Sequence, residues 1–227
     1  MKEDRTDMKE DRLHLHVVCT IASYMKADKF VFSWLYLSVS ISFSLSRSVF
    51  LPGCCKQMPS AAVDIVSLAV AIAVPLGGSA LISKVALPKD AYTGRWFAQL
   101  KKPSWYPPRI AFPVVWTLLY IAMGVASFLV WREMKRATDP KKAANAREAL
   151  WWYGGQLLIN LVWPLTLFGA RSVTLAVATM LALIASVGCT IAAFVPVNRT
   201  AAWLMAPYGV WICFAFVLMC WIARANP

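Results

Sequence analysis

The chain has 227 residues, of which 59% are hydrophobic and 13% aromatic, and its mean hydropathy is +0.58. That excess of apolar residues, gathered in long runs, excludes an ordinary soluble domain and points to an integral, multi-pass membrane protein. The net charge of +12 does not argue for a nucleic-acid partner. The cations sit in short loops between apolar segments, where headgroup contact and topology account for them.

The chain divides near Met58 into an N-terminal extension, 1–60, and a membrane domain, 61–227. Residues 1–5 and 8–12 both read Met-Lys-Glu-Asp-Arg, a charged stretch without apolar periodicity that is expected to be disordered. Residues 37–46 alternate strictly between apolar residues and serine, a strand-like period. Three readings compete for 30–50: a removed targeting segment, an extra membrane anchor, or sequence upstream of the true start at Met58. Lys26 and Lys29 favour targeting, and the acidic residues nearer the terminus argue against a standard transit peptide. The adjacent Cys54 and Cys55 are palmitoylation candidates, although plain free thiols are the simpler reading. No C-x-x-C pair occurs among the six cysteines, so neither a zinc site nor a disulfide framework is expected.

Five segments have the length and composition to cross a bilayer as helices, 65–82, 110–131, 150–168, 173–195 and 201–223, and none contains Asp, Glu, Lys or Arg. The predicted fold is therefore all-α, a five-transmembrane-helix bundle. The first loop carries the most informative stretch, 96–108, where tryptophans, cations and Pro103, Pro107 and Pro108 precede an apolar run. Proline fixes φ and removes donors, so this stretch is expected to be a shaped loop, a lid over a membrane pocket. Each of the loops 84–109 and 132–148 holds six Lys/Arg. Because they lie on opposite sides of such a bundle, the positive-inside bias nearly cancels and leaves the orientation open.

The turn Gly169-Ala170-Arg171-Ser172 makes the third and fourth segments antiparallel neighbours. In the fourth, Ala178, Ala182 and Ser186, and likewise Gly188 and Ala192, recur every four positions. Such a face lets backbones approach closely, either within one bundle or at a dimer seam, packing within the bundle being the simpler reading. Asn160, with Gln156 one turn before it, is the most polar candidate for the interior, as an interhelical bond or a ligand contact. Trp131, Trp151, Trp152 and Trp221, at segment ends, read as an interfacial belt, whereas Trp116 and Trp211 lie inside apolar segments.

Four groups of residues in chain order resemble the translocator protein, or tryptophan-rich sensory protein (TspO/MBR), family. They are Trp96 with Lys102-Pro103-Ser104-Trp105 and Pro107-Pro108; Phe112 with Val115-Trp116-Thr117-Leu118-Leu119-Tyr120 and Met123-Gly124; Gln156 through Pro164 with Phe168-Gly169; and Pro207-Tyr208 with Trp211, Phe214-Ala215 and Asn226. The resemblance covers 61–226. It implies a five-helix bundle, often dimeric, whose cavity opens toward the first loop and takes protoporphyrin, haem and other flat lipophilic ligands. The extension resembles plant-type members, with secretory, plastid or mitochondrial membranes as compartments.

A tetrapyrrole needs aromatic walls and cations for its propionates. The ligand-binding set is Trp96, Phe97, Trp105, Trp116, Asn160, Trp163, Trp211 and Ala215, and Lys101, Lys102 and Arg109, with Arg95 nearby, are the lid cations. No cofactor is expected to be required, a tetrapyrrole being the ligand, and no catalytic set or metal site is predicted. His14 and His16 are the only histidines and fall in the extension, so ring and propionate contacts are favoured over an axial haem bond; Cys189, Cys213 and Tyr208 are the remaining ligands in principle. Sterol-binding members carry Leu-Asn-Tyr in the last helix, where this chain has Leu218-Met219-Cys220, so the sterol motif is degraded. The leading function is a tetrapyrrole receptor or carrier linked to tetrapyrrole handling or stress. The alternatives are light-dependent porphyrin degradation and a stress-regulated membrane adaptor.

Overall fold

The computed structural model describes residues 60–85, 87 and 95–226, which belong to one compact unit, Met58–Pro227. The readings of 1–57, with Cys19, Cys54, Cys55 and both histidines, lie outside the described residues, as does the side chain of Arg95. The described part is helical: α1 Ser60–Val85, the single turn α2 Arg95–Gln99, α3 Ala111–Arg136, α4 Pro140–Pro164, α5 Val173–Phe194 and α6 Arg199–Ala225. A π-helical turn, Leu165–Gly169, extends α4. By length and composition four of these, α1, α3, α5 and α6, can cross a membrane.

The predicted third span, 150–168, is not among those four. Its helix starts ten residues earlier, at Pro140, and brings Lys141, Lys142, Arg147 and Glu148 with it, while Gly154, Gly155, Gln156 and Asn160 dilute the apolar part. The second loop accordingly shrinks to residues 137–139. Ala, Lys, Arg and Glu are good helix formers outside lipid as well as in it, so apolar windows locate the lipid-suited stretch but not the helix ends. Asp139 caps α4 by accepting a hydrogen bond from the Lys141 N–H at 2.9 Å, with Pro140 at the first helical position.

α3, α4, α5 and α6 form a closed ring in which each packs on two neighbours, and α1 lies against α3 with a smaller contact on α4. The α4–α5 turn makes those helices antiparallel neighbours, as its length requires. Arg171 takes a left-handed backbone (φ 51°), and the Ser172 hydroxyl accepts from the Leu175 N–H at 3.2 Å. The α1–α3 contact depends on Gly124, because a Cβ there would stand 2.6 Å from the Ile72 Cα and 2.7 Å from the Ala71 carbonyl oxygen. Backbone meets backbone at that point.

The small-residue face of α5 is not buried between helices. Ala178, Ala182, Gly188 and Ala192 are exposed and Ser186 is half-buried, and a Cβ on Gly188 would meet nothing. α5 instead turns Ala176, Met180, Leu183, Val187, Thr190 and Phe194 inward. Larger side chains bury more apolar surface per turn, so they take the core face and leave the small face outward. Packing within the bundle is thus corrected for this face.

Polar bonds mark the two ends of the bundle. At one end Arg136 pairs with Asp64 at 3.5 Å, and the Asn198 side chain donates to Glu133 at 3.3 Å. At the other, the Asn226 carboxamide grips the backbone of Lys101. It accepts from the Lys101 N–H at 2.9 Å and donates to the Lys101 carbonyl at 3.1 Å.

Candidate ligand site beneath the first loop

The 96–108 stretch is not loop throughout: its first four residues lie in α2, because all three prolines come later and leave that turn its donors. Beyond α2 the Tyr106 N–H closes a turn on the Pro103 carbonyl at 3.1 Å, and the Ala111 N–H bonds the Pro108 carbonyl at 2.9 Å as α3 begins. Pro103 is buried, and Trp105 is exposed.

The lid rests on two lines of rings. On one side Trp96 neighbours Phe97 (6.3 Å between centroids), Phe97 meets Phe168 edge-on (5.3 Å), and Phe168 meets Trp163 (6.4 Å). Phe168 reaches the lid from the π-helical turn, an element that often marks functional positions. On the other side Trp105 meets Phe214 (5.9 Å), Phe214 meets Trp211 (5.5 Å), Trp211 meets Phe112 (6.0 Å) and Phe112 meets Tyr106 (5.5 Å). These spacings and the frequent edge-to-face tilts are those that ring quadrupoles favour.

Deeper in the bundle Trp116 sits 5.4 Å from Tyr120 and 6.1 Å from Tyr208. Below it a hydrogen-bonded triad joins three helices: the Tyr120 hydroxyl donates to Asn160 Oδ1 at 2.8 Å, and Asn160 Nδ2 donates to the Tyr208 hydroxyl at 2.9 Å. All three residues are buried. Asn160 therefore makes the interhelical bond that was one of its two expected roles, and it forms the floor beneath Trp116. Ala215 is buried on the α6 face that carries Tyr208 and Trp211. Gln156 is fully buried yet joins no bond of this triad.

The lid cations divide. The Lys102 ammonium turns back into the lid, donating to the Phe97 carbonyl at 2.5 Å and more weakly to those of Leu100 (3.4 Å) and Ala98 (3.5 Å). It also lies 4.7 Å from the Phe97 ring centre. A cation at the carboxyl end of a helical turn satisfies its free carbonyls, so Lys102 shapes the lid. Burial, and then the charge of Arg109, hold its amine below the ordinary lysine range. Burial raises the Tyr106 phenol against a smaller opposing effect of Arg109. Lys101 and Arg109 are exposed at the rim.

The remaining candidates fall outside the cluster. Trp151, Trp152 and Trp221 are exposed, the first two in the middle of α4 and not at its end because that helix starts at Pro140, while Trp131 is half-buried and stacks on Phe128 (6.1 Å). Cys189 and Cys213 are exposed free thiols on the outer surface, and the Tyr208 hydroxyl is engaged by Asn160. Among the described residues no group of three His, Cys, Asp or Glu is placed to hold a metal. Met219 is buried, so apolar packing occupies the place of the asparagine of sterol-binding members. The expected ligand-binding set leaves out Tyr106, Phe112, Tyr120, Phe168, Tyr208 and Phe214, Tyr208 having been considered only as an axial ligand. Two of them were signalled by helical spacing from a chosen residue, Tyr120 four after Trp116 and Tyr208 three before Trp211.

The sequence profile of the TspO/MBR family matches residues 66–224. The chain is 39% identical over 132 residues to the human translocator protein, covering 58% of this chain and 75% of that one. It is 35% identical over 153 residues to the translocator protein of Sus scrofa (67% and 86%), and 34% identical over 136 residues to the tryptophan-rich protein TspO of Chlorobaculum tepidum (58% and 80%). With a profile that matches most of its helical unit and an aromatic lid built from the residues that carried the resemblance, the chain belongs to the TspO/MBR family.

Proposed function

We propose that this protein is a membrane receptor or carrier for tetrapyrroles, a five-crossing bundle acting as a homodimer, with the first loop as its lid. One observation carries the reading. Two lines of rings and the Trp116 floor converge beneath a single proline-shaped loop, which suits a large flat π-system. The indole N–H groups of Trp163 and Trp211 are buried and donate to nothing among the described residues, so an acceptor on a bound ligand would satisfy them. Lys101 and Arg109 would meet propionates at the rim, whereas Lys102 keeps the lid in shape. The outward small-residue face of α5 offers a seam for the second copy.

Titrating the purified protein with protoporphyrin and haem, followed by tryptophan fluorescence, tests the reading. Trp116→Ala should weaken binding several-fold, since a lost ring contact is worth on the order of 1 kcal/mol, and Trp152→Ala should leave it unchanged. Equal losses at both positions, or no saturable quenching, would refute it. The indoles also favour a second reading, light-dependent degradation of the bound porphyrin, because a tryptophan beside a photoexcited ring is open to oxidation. Under illumination in oxygen, loss of the porphyrin absorbance must then slow when Trp163 and Trp211 are changed to Phe while binding persists.

A further inference from the structure

At the end of the bundle opposite the lid, α3 finishes with two cations held over two rings. The Arg132 guanidinium stands 5.7 Å from the Phe128 ring centre and the Lys135 ammonium 5.9 Å from that of Trp131, and the two rings stack at 6.1 Å. Each cation follows its ring by one helical turn, so the arrangement is local to α3. Phe128 is buried, and Trp131 and Arg132 are half-buried. The Arg132 Nε is buried and donates to nothing among the described residues. The carboxylates beside it on α3 and α1 are engaged, Glu133 by Asn198 and Asp64 by Arg136.

Arg132 also ends an outward stripe of α3 on which Val114, Leu118 and Ile121 are all exposed. In a membrane protein that stripe faces lipid. Ile121 lies near the middle of α3, and Arg132 follows it by about 16 Å at a rise of about 1.5 Å per residue. Half of a roughly 30 Å hydrocarbon core is about the same length. With Ile121 at the midplane, the guanidinium therefore stands at the boundary where lipid phosphates lie, and a charge on a lipid-facing stripe is stable there when an anion meets it. A soluble anion would leave the apolar stripe below uncovered. A phospholipid brings both the phosphate and the chains that cover it.

We propose that Arg132 and Lys135 form a binding site for the phosphate of an anionic phospholipid whose acyl chains lie along Ile121 and Leu118. The guanidinium fork takes phosphate oxygens, and Lys135 adds its charge. The rings hold both cations in place, so little side-chain freedom is lost on binding. The site lies on the outer side of α3 and does not depend on which ligand the aromatic cluster takes.

Full-length protein in phosphatidylcholine nanodiscs, given phosphatidylglycerol with a photoreactive diazirine near the end of one chain, tests it. Irradiation and peptide mapping should place the label on α3 around Leu118 and Ile121, and unlabelled phosphatidylglycerol should compete it away. Arg132→Gln with Lys135→Gln should cut labelling roughly tenfold. Lys141→Gln with Lys142→Gln, an equal charge change at exposed residues of α4, should leave it unchanged. Melting midpoints separate binding from folding: added phosphatidylglycerol should raise those of the wild type and the Lys141, Lys142 variant but not that of the Arg132, Lys135 variant. Label away from α3, equal losses in both variants, or a midpoint raised alike in all three would overturn the site. Displacement of the label by inorganic phosphate would overturn the lipid assignment in favour of a free anion.

Discussion

Asn160 shows how one residue can be both support and floor. Its carboxamide accepts from Tyr120 and donates to Tyr208, which ties α3, α4 and α6 together directly under Trp116. Asn160→Leu removes the partner of Tyr208, a hydroxyl at 0% exposure. A buried polar group stripped of its partner costs about 1 to 3 kcal/mol, and denaturant unfolding in detergent should register a loss of that size. Adding Tyr208→Phe should return part of it, because the orphaned hydroxyl goes as well. Additive losses would mean that the two residues act independently. Sequence made Asn160 conspicuous, since an amide in an apolar segment needs a partner. It could not show that the partners were two tyrosines 40 residues before and 48 after, because that depends on how three helices meet.

At the scale of elements the lid is held in two ways, and they are separable. Lys102 closes α2 from inside, and Asn226, at the end of α6, holds the loop from outside through the backbone of Lys101. Asn226→Ala removes both bonds to Lys101 but touches no ring of the aromatic cluster. Ligand association and dissociation should both speed up, amide exchange at Lys101 should rise, and the melting midpoint should change little, as expected for an exposed latch. Unchanged exchange at Lys101 would show that the prolines alone hold the loop. The bend of the loop was legible in its three prolines, but the latch was not, because a lone asparagine near the end of the chain carries no periodic or spacing signal. The helix ends were misread for a related reason: apolar windows report the solvent of a segment, while Asp139, Pro140 and the alanines around them set where α4 starts.

The charge distribution on the lid gives a further prediction at the same scale. If Lys101 and Arg109 hold propionates, neutralising both should weaken a dicarboxylic porphyrin and spare its dimethyl ester. Exposed pairs are each worth only about 0 to 1 kcal/mol, so the loss should reach roughly tenfold at most and shrink in high salt. Lys102→Met should weaken acid and ester alike, because it unravels the lid around α2. The same losses for acid and ester in the Lys101 and Arg109 variant would remove the rim from the recognition of the ligand.

At the scale of the whole molecule the course of α4 decides the topology. Composition places α4 outside the helices suited to lipid, yet its two ends lie near opposite ends of the bundle. Its start follows the end of α3, where Glu133 holds Asn198, and its π-helical end brings Phe168 against Phe97 of the lid. A helix fixed in that way runs the length of its neighbours, with its polar residues turned to the interior and its charges in the first turns. Single cysteines at Lys101, Lys141, Arg171 and Asn226, in a background without exposed native thiols, should therefore divide two ways in sealed vesicles. An impermeant maleimide should label Lys101, Arg171 and Asn226 from one face and Lys141 from the other. If Arg171 labels with Lys141, α4 does not cross, and the crossings reduce to the four apolar helices. Four crossings would also put Asn226 on the face opposite Lys101, whereas the direct bond between them requires the two to label together, so their shared labelling is a second, independent count of the crossings.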